Sequence, residues 1–144
     1  MSIVRKSAEI AAPAHTIVAT MLDVENHSTW MTEINRIEVL EIDGEGRPLR
    51  TRVHVAAMGQ VATYEVLYTH HSPLSFEYHL SQGDVMTAND FTFAAEPIGE
   101  RSSRVTLSQE LSVRWPLPGF IVDQLTLKGV KDMLRSLAAQ AQEA

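Results

Sequence analysis

The run PLPGFIVDQLTLKGVKDMLRSLAAQAQ, residues 116–142, reads as one long helix at the end of the chain, and its apolar positions decide what the rest must do. Pro118 pre-sets the backbone for a first turn, and Leu127, Val130, Leu134, Leu137, Ala138 and Ala141 then recur at the spacing of one helical face. A second apolar row, Val122, Leu125, Gly129 and Met133, runs beside the first, leaving Asp123, Lys128, Lys131, Asp132 and Arg135 for water. That arc is wider than a single contact requires, so two apolar surfaces must meet this helix. One is a curved antiparallel sheet; the other is either ordinary core or a ligand held between sheet and helix.

The sheet is read from the residues that precede the helix. Apolar and polar side chains alternate through 36–42, 49–57, 61–70, 74–81, 85–95 and 104–114. The breaks fall at Asp43-Gly44-Glu45-Gly46, Met58-Gly59-Gln60, His71-Ser72-Pro73, Gln82-Gly83-Asp84 and Pro97-Ile98-Gly99-Glu100, all turn-rich. Ahead of them, 3–11 alternates as a first strand. Pro13 then opens a helix with Ile17, Val18, Met21 and Leu22 on one side, and Asp23 or Asn26 caps a second short helical piece running to Trp30. The expected order is strand, two short helices, six hairpin-connected strands and one long helix, seven strands in all. One-sided alternation means a wet face and a dry face, and only the last helix is long enough to cover the dry one. A twisted sheet of this size curls, and a curled sheet gripping one helix leaves volume between them.

The totals agree with one α+β domain over residues 1–144: 44% hydrophobic and 21% charged residues are globular proportions. Absence of cysteine removes disulfides, thiolate nucleophiles and cysteine-based metal sites from consideration. No apolar run reaches signal-peptide or membrane-spanning length, so the expectation is a soluble, cytoplasmic protein without a membrane span. A formal charge of -6 with scattered basic residues argues against nucleic acid as a partner. Monomer and dimer are equally compatible with the sequence.

Several short stretches together resemble the START-type helix-grip superfamily, also called SRPBCC or birch-pollen-allergen-like, and within it the bacterial polyketide cyclase/dehydrase and lipid-transport proteins. They are Ile10-Ala11-Ala12-Pro13-Ala14, Asp23-Val24 ahead of Trp30, Val39-Leu40 with Asp43-Gly44, Ser103-Arg104-Val105-Thr106 and Pro116-Leu117-Pro118-Gly119-Phe120. The resemblance covers essentially the whole chain. It implies a seven-stranded curved sheet wrapped around the C-terminal helix, and a cavity between them. Many relatives read aromatic-Pro-x-Trp before the second strand; this chain reads His27-Ser28-Thr29-Trp30, which implies a differently shaped rim at that corner. On function the superfamily is broad, holding lipid carriers, hormone receptors, cyclases and regulators on one scaffold.

Candidate ligand-binding residues come from the dry face and the helix. Tyr64, Tyr68, Phe76, Tyr78, Phe91 and Phe93 place six aromatics on adjoining strands, three with hydroxyls to orient a ligand's polar atoms. Taken blandly, the same six fill an ordinary core, the less favoured of the two readings. Asn89 and Gln109 fall in register with apolar neighbours, where a buried amide must find a partner in protein, water or ligand. Trp30, Leu111, Phe120, Leu125, Gly129 and Met133 complete the set; Gly129 reads either as room for a ligand or strand, or as a tolerated surface glycine. The six histidines lack metal-ligand spacing, and His27 reads as a surface residue or as an acid or base at the pocket mouth. No nucleophile motif or phosphate loop occurs, and Glu65, Glu77, Asp90 and Glu110 all fall on the wet face. The expectation is therefore no catalytic residue, no metal and no cofactor. The leading reading is a binder or carrier of a lipid, isoprenoid or polyketide. A polyketide cyclase, dehydratase or aromatase with Tyr64, Tyr68, Tyr78 or His27 as proton donor is the second. The third is a ligand-free protein-interaction or toxin-like regulator, which requires a filled interior.

Overall fold

The computed structural model of the chain describes residues 3–57, 59–114 and 116–143. Strand β1 (Val4–Ile10) leads into helix α1 (Ala14–Leu22) and a short 3-10 helix (Val24–Thr29). Six strands follow, β2 (Ile34–Ile42), β3 (Pro48–Ala57), β4 (Gln60–Ser72), β5 (Ser75–Gly83), β6 (Met86–Gly99) and β7 (Ser102–Val113), before helix α2 (Gly119–Gln142) closes the chain. The strands form one antiparallel sheet in the order β1-β7-β6-β5-β4-β3-β2, so consecutive strands pair from β2 onward and β1 returns to the edge beside β7. This is the helix-grip fold. Among the described residues no helix is long and apolar enough to cross a membrane.

Both helices begin one residue after a proline, not on it. Pro13 (ψ 146°) and Pro118 (ψ 143°) are extended, and a residue preceding proline is sterically biased away from helical geometry, which keeps Pro116 and Leu117 out of α2. The helix is thus shorter at its start than the sequence pattern suggests. The turn expected at Met58-Gly59-Gln60 lies partly outside the described residues: Met58 is not described, while Gly59 has φ 74° and Gln60 already belongs to β4. Such a φ favours glycine because a side chain there would crowd its own carbonyl.

Side chains alternate across the sheet as expected, and the register lines up inward residues into rows. Tyr68 faces Tyr78, Tyr78 faces Phe91, and Phe91 faces Gln109, one row across β4 to β7. Beside it His70, Phe76, Phe93 and Leu107 form the next. The buried apolar residues fall into two clusters. In the larger, Val130, Leu134, Leu137 and Ala141 of α2 pack with α1 residues such as Ile17 and Met21 and with Phe91, Phe93, Val105 and Leu107 of the sheet. The smaller gathers Val24, Ile37, Val53, Tyr64 and Val66 at the β2–β4 end and contains no residue of α2. Tyr68 and Tyr78 touch both.

Two expectations about sidedness are corrected. The buried line of α2 runs Val122, Thr126, Val130, Leu134, Leu137, Ala141; Leu127 is only half-buried, beside Lys128 and Lys131 on the outer side. Thr126 takes the inner place because its hydroxyl is satisfied within the helix, donating to the Val122 carbonyl at 2.8 Å. Glu65 does face the convex side, yet it is 5% exposed. Arg52 reaches it at 3.0 and 3.2 Å, Gln82 Nε2 donates at 2.7 Å, and Arg50 stands 3.7 Å away, so these neighbours cover the carboxylate while neutralising it.

Candidate functional site

Between the two clusters lies a cavity of about 540 Å³, walled by the inner face of β2–β7 and by α2 from Val122 to Ser136. Its size is in the range of small-molecule sites. Aliphatic groups dominate the wall, with Ile37, Val53 and Val66 from the sheet and Val122, Leu125 and Met133 from the helix. Gly129 lies in the same wall, and a Cβ built there meets nothing within 4 Å. The room beside it therefore belongs to the cavity; no strand comes close.

Polar groups gather at one place on this wall. Asn89 and Gln109 are diagonal neighbours on β6 and β7, since Asn89 pairs with Leu111 and Phe91 with Gln109. Gln109 Nε2 donates to Asn89 Oδ1 at 3.0 Å, so each amide is the other's partner in a buried setting, where a missing bond would cost about 1 to 3 kcal/mol. The Asn89 amide nitrogen lies 3.7 Å from the Met86 thioether sulfur, a weak acceptor. The Tyr64 and Tyr78 hydroxyls interact with Asn89. Burial dominates all three tyrosines: it drives Tyr64 and Tyr78 well above the usual phenol value and pushes Tyr68 up to about 12. They are neutral hydroxyls at any ordinary pH. Thr51 Oγ1, next to Tyr68, is buried without a hydrogen bond of regular geometry, and its loose interaction with the Tyr68 hydroxyl only partly offsets that burial.

His27 also lines the cavity, from the 3-10 helix, and it is buried, not a surface histidine. Desolvation lowers its pKa to about 4, outweighing the backbone carbonyl that favours the charged form. Its Nε2 lies 2.8 Å from the Met21 carbonyl oxygen, which can only accept, so Nε2 carries the proton and Nδ1 of the neutral ring is bare. Trp30 packs edge-on against this imidazole with ring centres 5.1 Å apart.

Charges appear at the rim. Glu33, Lys128 and Asp132 reach the cavity edge, and Lys128 Nζ is tied to Asp132 at 2.5 Å, with Arg135 on the same carboxylate. Among the described residues no group of three or more metal-ligating side chains occurs.

Of the expected site residues, Tyr64, Tyr68, Phe76, Tyr78, Asn89 and Gln109 line the cavity, as do Leu111, Leu125, Gly129 and Met133. Phe91 and Phe93 do not. They are 0% and 1% exposed in the larger cluster, where Phe91 stacks behind Tyr78 at 4.7 Å and Phe93 behind Phe76 at 5.0 Å, backing residues that do face the space. Trp30 packs against the same cluster and likewise stays off the wall. Phe120 is 65% exposed at the first turn of α2, turned to solvent. Sequence reasoning missed part of the aliphatic wall, Ile37, Val53 and Val66, together with Met86, although the alternation of 49–57 sets Val53 on one face with Thr51 and Val55.

The model of the family described as polyketide cyclase / dehydrase and lipid transport matches residues 1–143. Among solved structures, a START superfamily protein from Mycobacterium smegmatis superposes with a TM-score of 0.91 at 26% identity, covering 98% of this chain and 97% of its own. A protein from Thermus thermophilus gives 0.84 at 21% identity, covering 99% and 98%. The Zhui aromatase/cyclase from Streptomyces sp. R1128 gives 0.83 at 16% identity over 98% of this chain and 93% of that one, a likeness of fold alone. None of the curated proteins matches the chain in sequence.

Proposed function

The chain belongs to the polyketide cyclase / dehydrase and lipid transport family, and from that premise we propose that it binds an apolar small molecule, a lipid, isoprenoid or polyketide, between sheet and C-terminal helix. One observation carries the reading: a hollow of about 540 Å³, apolar over most of its wall, with an internal cluster of neutral hydrogen-bonding groups. Apolar surface supplies the affinity, and Asn89, Gln109, Tyr64 and Tyr78 orient what enters.

A cyclase or dehydratase acting in the same hollow is the second reading, and His27 is the observation in its favour, a neutral imidazole on the wall with Nδ1 free to take a proton. Its pKa near 4 makes it a weak base, and phenols raised to about 12 or beyond are weak acids at neutral pH. Binding without turnover therefore accounts for more of the site. The ligand-free regulator is disfavoured, because it requires a filled interior.

Native mass spectrometry of freshly purified protein, followed by solvent extraction and mass analysis, tests the reading. A stoichiometric apolar adduct released unchanged is the expected result. A bare protein mass, together with no rise in Tm from a panel of lipids and aromatic polyketides, would end the carrier reading; turnover of a poly-β-keto chain that fails in a His27→Leu variant would establish the enzyme.

A further inference from the structure

The charges around the hollow are distributed unevenly, and its interior holds no cation among the described residues. Its titratable lining there consists of His27 and the three tyrosines inside and of Glu33, Lys128 and Asp132 at the edge. Lys128 is the one cationic side chain among these, it is 70% exposed, and its ammonium is already held by Asp132. Inside, His27 is neutral with its one N–H given to Met21. An anion brought within would lose its water and meet no charge of opposite sign, an arrangement that costs far more than burying a neutral polar group. A neutral oxygen is better served. The Asn89 amide nitrogen stands 3.7 Å from the Met86 thioether sulfur, a weak acceptor that a ligand oxygen can replace, and the neutral Tyr64 and Tyr78 hydroxyls, which interact with Asn89, add further donors on the same wall.

Resting on the small-molecule reading above, we propose that the hollow discriminates by charge: it takes uncharged apolar molecules that carry a hydroxyl or carbonyl oxygen, set against Asn89, and excludes carboxylates of the same skeleton. Free fatty acids and carboxylated polyketides are then poor ligands at neutral pH, while alcohols, ketones and esters of the same shape are good ones.

Two matched pairs test this by isothermal titration calorimetry on the full chain at pH 7.5: 9-anthracenemethanol against 9-anthracenecarboxylate, and 1-decanol against decanoate. Each alcohol is expected to bind at least about tenfold more tightly than its acid, a difference governed by the desolvation of charge. Repeated at successively lower pH, the acids should gain about tenfold in affinity per unit for as long as the ligand remains mostly ionised, because only the protonated form enters, while the alcohols stay unchanged. Carboxylates that bind as tightly as the alcohols, with no dependence on pH, would overturn the charge discrimination and leave the small-molecule reading standing. If neither member of either pair binds and the lipid panel also fails, that reading falls and the discrimination with it.

Discussion

Gly129 offers the sharpest test of the cavity, because one position answers for both the helix and the space beside it. It sits in the middle of α2 with a helical backbone, and a Cβ added there meets no atom within 4 Å. Gly129→Ala should therefore keep every contact and gain the difference in helix propensity, about 1 kcal/mol. For a domain of this length that corresponds to a rise in Tm of about 3 °C. Gly129→Leu keeps most of the helical gain and projects its branched end into the hollow between Leu125 and Met133, so it should leave Tm at or above the parent value while weakening ligand binding at least about tenfold, the cost of displacing apolar contacts worth a few kcal/mol. Calorimetric melting and titration with 9-anthracenemethanol read the two quantities separately. A fall in Tm for Gly129→Ala would mean that some group does approach the helix there, and unaltered binding by Gly129→Leu would show that ligands do not use this wall.

Three further outcomes are expected. Asn89→Leu should cost about 1 to 3 kcal/mol by stranding the Gln109 amide, whereas the double variant Asn89→Leu/Gln109→Leu should be more stable than either single one; urea unfolding of all four proteins decides, and additive costs would contradict the pairing. His27 has a folded pKa lowered from 6.5 to about 4, so the unfolded chain binds the extra proton: stability is fully present above pH 6.5 and falls by about 3 kcal/mol as the pH drops to 4, and His27→Leu should flatten that part of the pH profile. Glu65→Leu leaves Arg50 and Arg52 without their shared partner; because these arginines are 37% and 39% exposed, and water can replace part of the loss, the cost should be about 2 kcal/mol, below the range for a fully buried pair. A urea midpoint unchanged in Glu65→Leu would mean that the cluster is only a surface network.

The architecture was legible because period and sidedness are carried by single residues. Alternation gave the strands, and the double apolar row of 122–141 announced a helix that touches two things. Which residue of a row faces inward was harder. Thr126 takes the inner place that the pattern offered to Leu127, since a threonine that bonds its own helix backbone behaves as an apolar residue, and nothing in the local pattern says so. Aromatic residues attracted the site assignment, yet Phe91 and Phe93 serve as the packed layer behind it, while valines and an isoleucine face the space. Telling a wall from its backing requires the depth of the sheet's curl, which is set by non-local packing. Glu65 and His27 share that origin: each is buried by neighbours outside its own element, Arg52 and Gln82 over one, Met21 against the other.

The separation of the apolar interior into two clusters divides the labour of the sequence. Val130, Leu134, Leu137 and Ala141 clasp the far half of α2 to β1, β7 and α1, and changes there put the whole domain at risk. Ile37, Val53 and Val66 belong to the cluster without the helix, and they contour the hollow. Trading one aliphatic residue for another at these three positions reshapes the hollow while the clasp stays intact. If the hollow holds a small molecule as proposed, drift at this one end alters which molecule fits, so two descendants of one ancestor would accept different molecules on nearly superposable backbones.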